Sequence, residues 1–165
     1  PGLAGRRGRV VDAGCGPGHW SDPLKGLGVD VRGIDLVPAF IAHARSSYPA
    51  VRFDLRSIEA IDEVDGSLDG ILAWFSTIHH DPTTIDVPLA EFGRVLRPGG
   101  QLLLGCFSSN RVEKFDHAVL PAYRWPAETL RELLESAGFD PLETHVREAR
   151  GERPVGAIRA ERGAG

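Results

Sequence analysis

Methionine is absent from all 165 residues, position 1 included, and cysteine and lysine are each held to two. The first absence predicts that the chain begins after its natural start, with residues 1–8, rich in glycine and arginine, as a truncated or disordered lead-in. Cys15 and Cys106 stand 91 positions apart, which fits neither a disulfide framework nor a metal-knuckle spacing. A reduced, cytoplasmic setting and no metal are therefore expected. No charged-then-apolar leader precedes the first strand pattern, and no apolar run approaches the roughly 20 residues needed to span a bilayer, so no membrane partner is expected. Basic excess is lacking too. The net charge is −4, and the 17 arginines are scattered rather than clustered, which argues against a nucleic-acid partner. At this length one domain with a real core is expected, and a small molecule is left as the partner by elimination.

What is present is a stretch from Arg9 to His19, RVVDAGCGPGH. Val10 and Val11 read as a buried strand, and glycines at 14, 16 and 18 follow at once, before a helix over residues 20–27. Glycine there permits backbone angles closed to other residues and leaves no Cβ to keep a ligand off the main chain. Ser21 and Asp22 offer side-chain caps, and Pro23 suits a first helical position, so the helix could also begin there. Residues 29–34 alternate into a second strand ending at Asp35. A helix over 38–48 carries Phe40, Ile41 and Ala44 as its apolar stripe, and a third strand follows at 51–55. Two such crossovers force parallel pairing, which is half of a doubly wound sheet.

Residues 68–75, LDGILAWF, read as a strand covered on both faces. Asp81 and Pro82 are expected to start a helix running to Leu96, with Ile85, Leu89, Phe92, Val95 and Leu96 inward. Arg97, Pro98, Gly99 and Gly100 should stop it before a fifth strand at 101–107. Residues 108–125 read as a long connection, either a substrate lid or an irregular surface loop. A helix over 126–137 and two last strands, 139–147 and 154–162, complete the chain.

A dinucleotide fingerprint would place its third glycine at position 19, where this chain has His19. The third glycine is Gly18, and an acid, Asp12, precedes the loop. That acid is ill placed beside a pyrophosphate but well placed to attract an ammonium group, directly or through water. These residues weigh against a nicotinamide-dependent oxidoreductase.

VVDAGCGPGH resembles the first motif of the class I S-adenosylmethionine-dependent methyltransferases, and the later elements follow in that family's order over roughly residues 9–162. The resemblance implies an α/β fold: a Rossmann-like doubly wound sheet of about seven strands, mostly parallel with an antiparallel last strand, with helices on both faces. It implies S-adenosylmethionine as cofactor, its methionine part held by Asp12, Gly14, Cys15, Gly16 and Gly18. Asp35, with Leu36 after it, matches the acid that takes the ribose hydroxyls, since a carboxylate accepts two hydrogen bonds at once. VRFDLRSIEAI, residues 51–61, resembles the third-strand motif. Ser57 stands where that family commonly has an Asp for the adenine amino group, and Ile58 where an apolar residue meets the ring. RVLRPGGQLLL, residues 94–104, matches the helix-turn-strand before the family's fifth strand, and AWFSTIHH, residues 73–80, resembles a segment of a bacterial small-molecule subgroup.

The implied reaction is methyl transfer to a small organic acceptor by in-line displacement, for which the protein mainly positions donor and acceptor. A hydroxyl acceptor would favour a base, and His79 and His80, with Asp81 as orienting group, or His117, are the candidates. Trp74, Phe75, Tyr123 and Trp125 are candidates for an aromatic acceptor pocket, Trp74 and Phe75 also for core or cofactor wall. Cys15 reads as a small packed thiol. A cofactor-binding protein without transferase activity is the other alternative. Its support is Ser57 and the lack of an N-terminal helical cover, which would also be one reason for a homodimer.

Overall fold

The computed structural model describes residues 8–118, 120–148 and 150–164. The lead-in expected at 1–8 lies, apart from Gly8, outside them. The first strand β1 (Arg9–Ala13) is buried from Val10 onward, and the glycine loop carries it into helix α1 (Ser21–Gly26). Ser21 does not cap this helix; its hydroxyl turns inward to Asp12. Strand β2 (Asp30–Asp35), helix α2 (Pro38–Ser47) and strand β3 (Arg52–Leu55) follow. Ile41 and Ala44 of the predicted stripe are buried, while Phe40 is half-exposed. Strand β4 (Leu68–Trp74) pairs with β1 in parallel, as β1 does with β2 and β2 with β3.

Helix α3 (Asp86–Val95) begins later than the expected start at Asp81. The Asp81 carboxylate accepts from the Thr83 amide at 2.8 Å and the Thr83 hydroxyl at 2.6 Å, and this local bonding holds the backbone in turns instead of helix. The predicted inward side chains hold: Ile85, Leu89, Phe92, Val95 and Leu96 are all buried. Strand β5 (Leu96–Ser108) is longer than the expected 101–107, because residues 97–100 do not interrupt it. Leu96 already pairs with Leu68, and the register shifts before Gly70 meets Gln101, so the Pro-Gly-Gly run is absorbed as an irregularity with Gly99 at φ +73°.

The connection at 108–125 is not an irregular loop. It folds into a hairpin of β6 (Glu113–Phe115) and β7 (Ala122–Trp125), and β7 joins β5 in parallel. Helix α4 (Ala127–Ser136) leads into β8 (Phe139–Arg147) and β9 (Val155–Arg162). β9 lies antiparallel to β5 and β8 antiparallel to β9. Among the described residues the sheet therefore has nine strands where about seven were expected, the extra pair being that hairpin.

Val11, Ala13, Ile71, Ala73, Leu102 and Leu104 face the main core on one side of the sheet, closed by α3 and α4. On the other side Val10, Val31 and Phe53 meet Ile41 and Ala44 of α2. Among the described residues no helix is long and apolar enough to cross a membrane.

Candidate functional site

The carboxyl ends of β1, β2 and β4 converge on the glycine loop. The loop is pinned to β2 by two amides, Gly14 and Cys15, which both donate to the Ile34 carbonyl at 2.8 and 2.9 Å. The three glycines then do different work. Gly14, at φ +76°, lies so close to Ser76 that a Cβ would stand 2.3 Å from the Ser76 Cβ. Gly18, at φ +91°, is pressed against Tyr48 and Phe53 and serves packing against α2 and β3. Only Gly16, at φ +53°, has nothing within 4 Å of where a Cβ would sit. It is the glycine of the three that leaves the backbone open to a ligand.

Asp35 ties that opening to β2. One of its carboxylate oxygens accepts from the Gly16 amide at 2.9 Å and the other from the Val37 amide at 2.8 Å. Each oxygen keeps a further acceptor direction, so the group can still receive two hydroxyls. Asp12 is 1 % exposed, and Ser21 donates to it at 2.6 Å. Burial raises its pKa to about 6; the Ser21 hydrogen bond opposes the rise and the negative charge of Asp35 adds to it. Asp12 thus clamps the end of β1 to the start of α1, with the loop held between them. Cys15 packs its thiol into the α2-side core, where burial pushes its pKa up, and it offers the site only backbone.

Leu36 is exposed beside Asp35. The Ser57 hydroxyl accepts from the Glu59 amide at 3.1 Å, and Ile58 packs into the main core. Trp74 sits half-exposed at the end of β4, edge-on to Trp20 at 5.7 Å and to Phe75 at 5.4 Å.

The two adjacent histidines point apart. His79 Nδ1 lies 3.0 Å from the Pro121 carbonyl, which only accepts, so Nδ1 is the donor of this bond, and Nε2 has no hydrogen-bond partner among the described residues. His117 stands edge-on to it at 5.5 Å, with its pKa lowered by burial and by the nearby His79 and Arg153. His80 Nε2 meets Glu59 at 2.9 Å instead. Asp81 orients neither ring, being spent on its own turn. Trp125 is buried in the main core, and Tyr123 is partly buried against that core. Sequence reading missed Glu59, Trp20 and Ser76, whose hydroxyl is buried beside Gly14 without a hydrogen-bond partner. No spacing rule links them to the loop.

A family profile described as a methyltransferase domain matches residues 10–100. The chain belongs to the class I S-adenosylmethionine-dependent methyltransferases. The methyltransferase chain is 31% identical over 113 residues to the malonyl-[acyl-carrier protein] O-methyltransferase of Erwinia billingiae, covering 68% of this chain and 44% of that protein. It is 37% identical over 108 residues to a ubiquinone biosynthesis O-methyltransferase of Xanthomonas oryzae, covering 62% and 43%. The chain thus spans under half the length of these two relatives. The crystal structure of Burkholderia thailandensis 1,6-didemethyltoxoflavin-N1-methyltransferase, with bound 1,6-didemethyltoxoflavin and S-adenosylhomocysteine, superposes with a TM-score of 0.83 at 26% identity. It covers 96% of this chain and 72% of that one. The methyltransferase cofactor is S-adenosylmethionine, and the nicotinamide alternative falls with this membership. The loop fits the sulfonium cofactor on its own terms as well. Gly16 leaves the space, Asp35 presents a carboxylate at its edge, and the orphaned Ser76 hydroxyl is a polar group still wanting a partner.

Proposed function

We propose that this domain transfers a methyl group from S-adenosylmethionine to a small organic acceptor by in-line displacement. The observation that carries the reading is the open backbone at Gly16, hydrogen-bonded to Asp35. When bound, the cofactor supplies a methyl group already activated by the sulfonium. The chain's own task is position. The loop from Gly14 to Gly18 would cradle the methionine part. Asp35 would take the ribose hydroxyls, Ser57 and Ile58 would border the adenine, and Trp74 would wall the site. Asp12 would act on the ammonium through its field and through the loop it fixes.

An acceptor of small-molecule size is supported by the toxoflavin precursor held by the Burkholderia enzyme. The net charge of −4 speaks against a phosphate-backbone acceptor. Where the acceptor is a hydroxyl, His79 is the better base of the adjacent pair, since its Nε2 is free while His80 Nε2 is engaged by Glu59. Residues 9–162 would work as one such domain. Calorimetric titration of S-adenosylmethionine against NAD tests the reading. Heat is expected with the sulfonium cofactor alone, and Asp35→Ala should weaken it at least tenfold, about 1.5 kcal/mol for a charged hydrogen bond. No heat with S-adenosylmethionine refutes the proposal; binding with no transfer to any acceptor pool would leave a cofactor-binding protein.

A further inference from the structure

The sheet face that carries Trp74 is incompletely covered. Side chains alternate along β5 and β9, so Leu102, Leu104, Ile158 and Ala160 fill the main core while Leu103, Phe107, Val155 and Ala157 point to the opposite face. All four of the latter are half-buried. A cleft of about 590 Å³ opens over that face, walled by Trp74, Phe75, Val155 and Ala157 and rimmed by His145 and Arg147 of β8. The volume is in the range of small-molecule sites, and the walls are apolar as such sites require. Phe75 immediately precedes Ser76, which borders Gly14, so the cleft adjoins the cofactor loop.

Phe75 has φ +56°, the one positive value among the described non-glycine residues. Backbone strain of this kind is kept where surrounding structure enforces it. Its ring meets Phe107 at 5.0 Å, and Phe107 meets Phe115 at 5.2 Å. Phe107 is the ladder partner of Val155, which joins this run of rings to the cleft wall. Two guanidinium groups lie on Phe115, those of Arg124 at 4.6 Å and Arg153 at 5.0 Å. Arg124 is 3.8 Å from Glu113, and Arg147 at the rim is 3.5 Å from Glu152. Among the described residues no carboxylate stands at ion-pair distance from Arg153. Stacking on a ring holds a guanidinium plane while leaving its N–H edges free, the geometry that receives a carboxylate.

We propose that this cleft receives the methyl acceptor, and that the acceptor is a flat conjugated molecule bearing a carboxylate, its body against Trp74 and Phe75 and its carboxylate at Arg153. The inference rests on the methyl-transfer reading above. Its test is calorimetry on the chain saturated with S-adenosylhomocysteine, using 2-naphthoate and its neutral counterpart 2-naphthalenemethanol as probes. The naphthoate should bind about tenfold more tightly, the least that a hydrogen bond to a charged group contributes. Arg153→Gln should bind the two probes alike, and Ala157→Phe, which fills the cleft, should bind neither. Both variants are checked for folding by their S-adenosylhomocysteine affinity. Equal affinity for the two probes in the wild-type chain, or a preference that survives Arg153→Gln, overturns the acceptor assignment alone. Failure of S-adenosylhomocysteine to bind the wild-type chain overturns the methyl-transfer reading beneath it.

Discussion

Replacing Asp12 with Asn isolates a buried charge next to the cofactor loop. The folded-state pKa is raised from 3.8 to about 6, by burial first, against the opposing Ser21 hydrogen bond. A raised carboxyl binds its proton more tightly in the folded chain than in the unfolded one. Its contribution to stability is therefore fully present below the unfolded value and is lost as pH rises through the folded one. Asn keeps an oxygen for Ser21 and does not titrate, so the difference between the two chains reports Asp12 alone. Taking those two pKa values, the wild type should lose about 1.4 kcal/mol relative to Asp12→Asn between about pH 5 and about pH 8, a factor of ten in the folding constant. Urea unfolding followed by tryptophan fluorescence at several pH values measures it. A difference that stays flat with pH would mean that Asp12 is not penalised by burial, and the clamp between β1 and α1 would lose its electrostatic basis. A difference that grows in the opposite direction would mean that Asp12 is held charged by a partner.

The glycines of the loop separate binding from folding. Gly16→Ala meets no neighbour, so it should cost only the strain of a positive φ, about 1 kcal/mol of stability, while the methyl group projects into the space assigned to the cofactor and weakens S-adenosylmethionine at least tenfold. Gly18→Ala must displace Tyr48 or Phe53 and should cost more of the fold, a loss of about 2 kcal/mol or more in thermal stability; a stability loss no larger than that of Gly16→Ala would refute the division of roles. For a hydroxyl acceptor, His79→Gln should lower kcat by about 10²-fold or more with cofactor affinity unchanged, and an unaltered kcat would remove His79 as base.

How far the sequence reached is seen in particular elements. β1, the glycine loop, α1, β2, α2, β3 and β4 follow from apolar periodicity punctuated by glycine and proline, signals that act over a few residues and need no partner. The inward positions of α3 were legible for the same reason. Its first turn was not, because Asp81 reads as a helix start whether its carboxylate serves a helix or the turn at Thr83 and Thr84. The hairpin of β6 and β7 was missed because strands of three and four residues carry almost no periodicity, and the pair exists through the pairing of β6 with β7 and of β7 with β5.

The site divides along the same line. The sequence by itself determined that glycines 14, 16 and 18 follow a strand, that an acid precedes them and that another ends β2, because those are properties of neighbours in the chain. Only the tertiary structure decided which glycine faces open space. It gave Asp12 to Ser21, turned His79 and His80 to different partners, sent Trp125 into the core and left Trp74 at a cleft. Each of those outcomes depends on which face of the sheet a residue meets and on what another, distant segment has packed there, and distance along the chain carries no record of either.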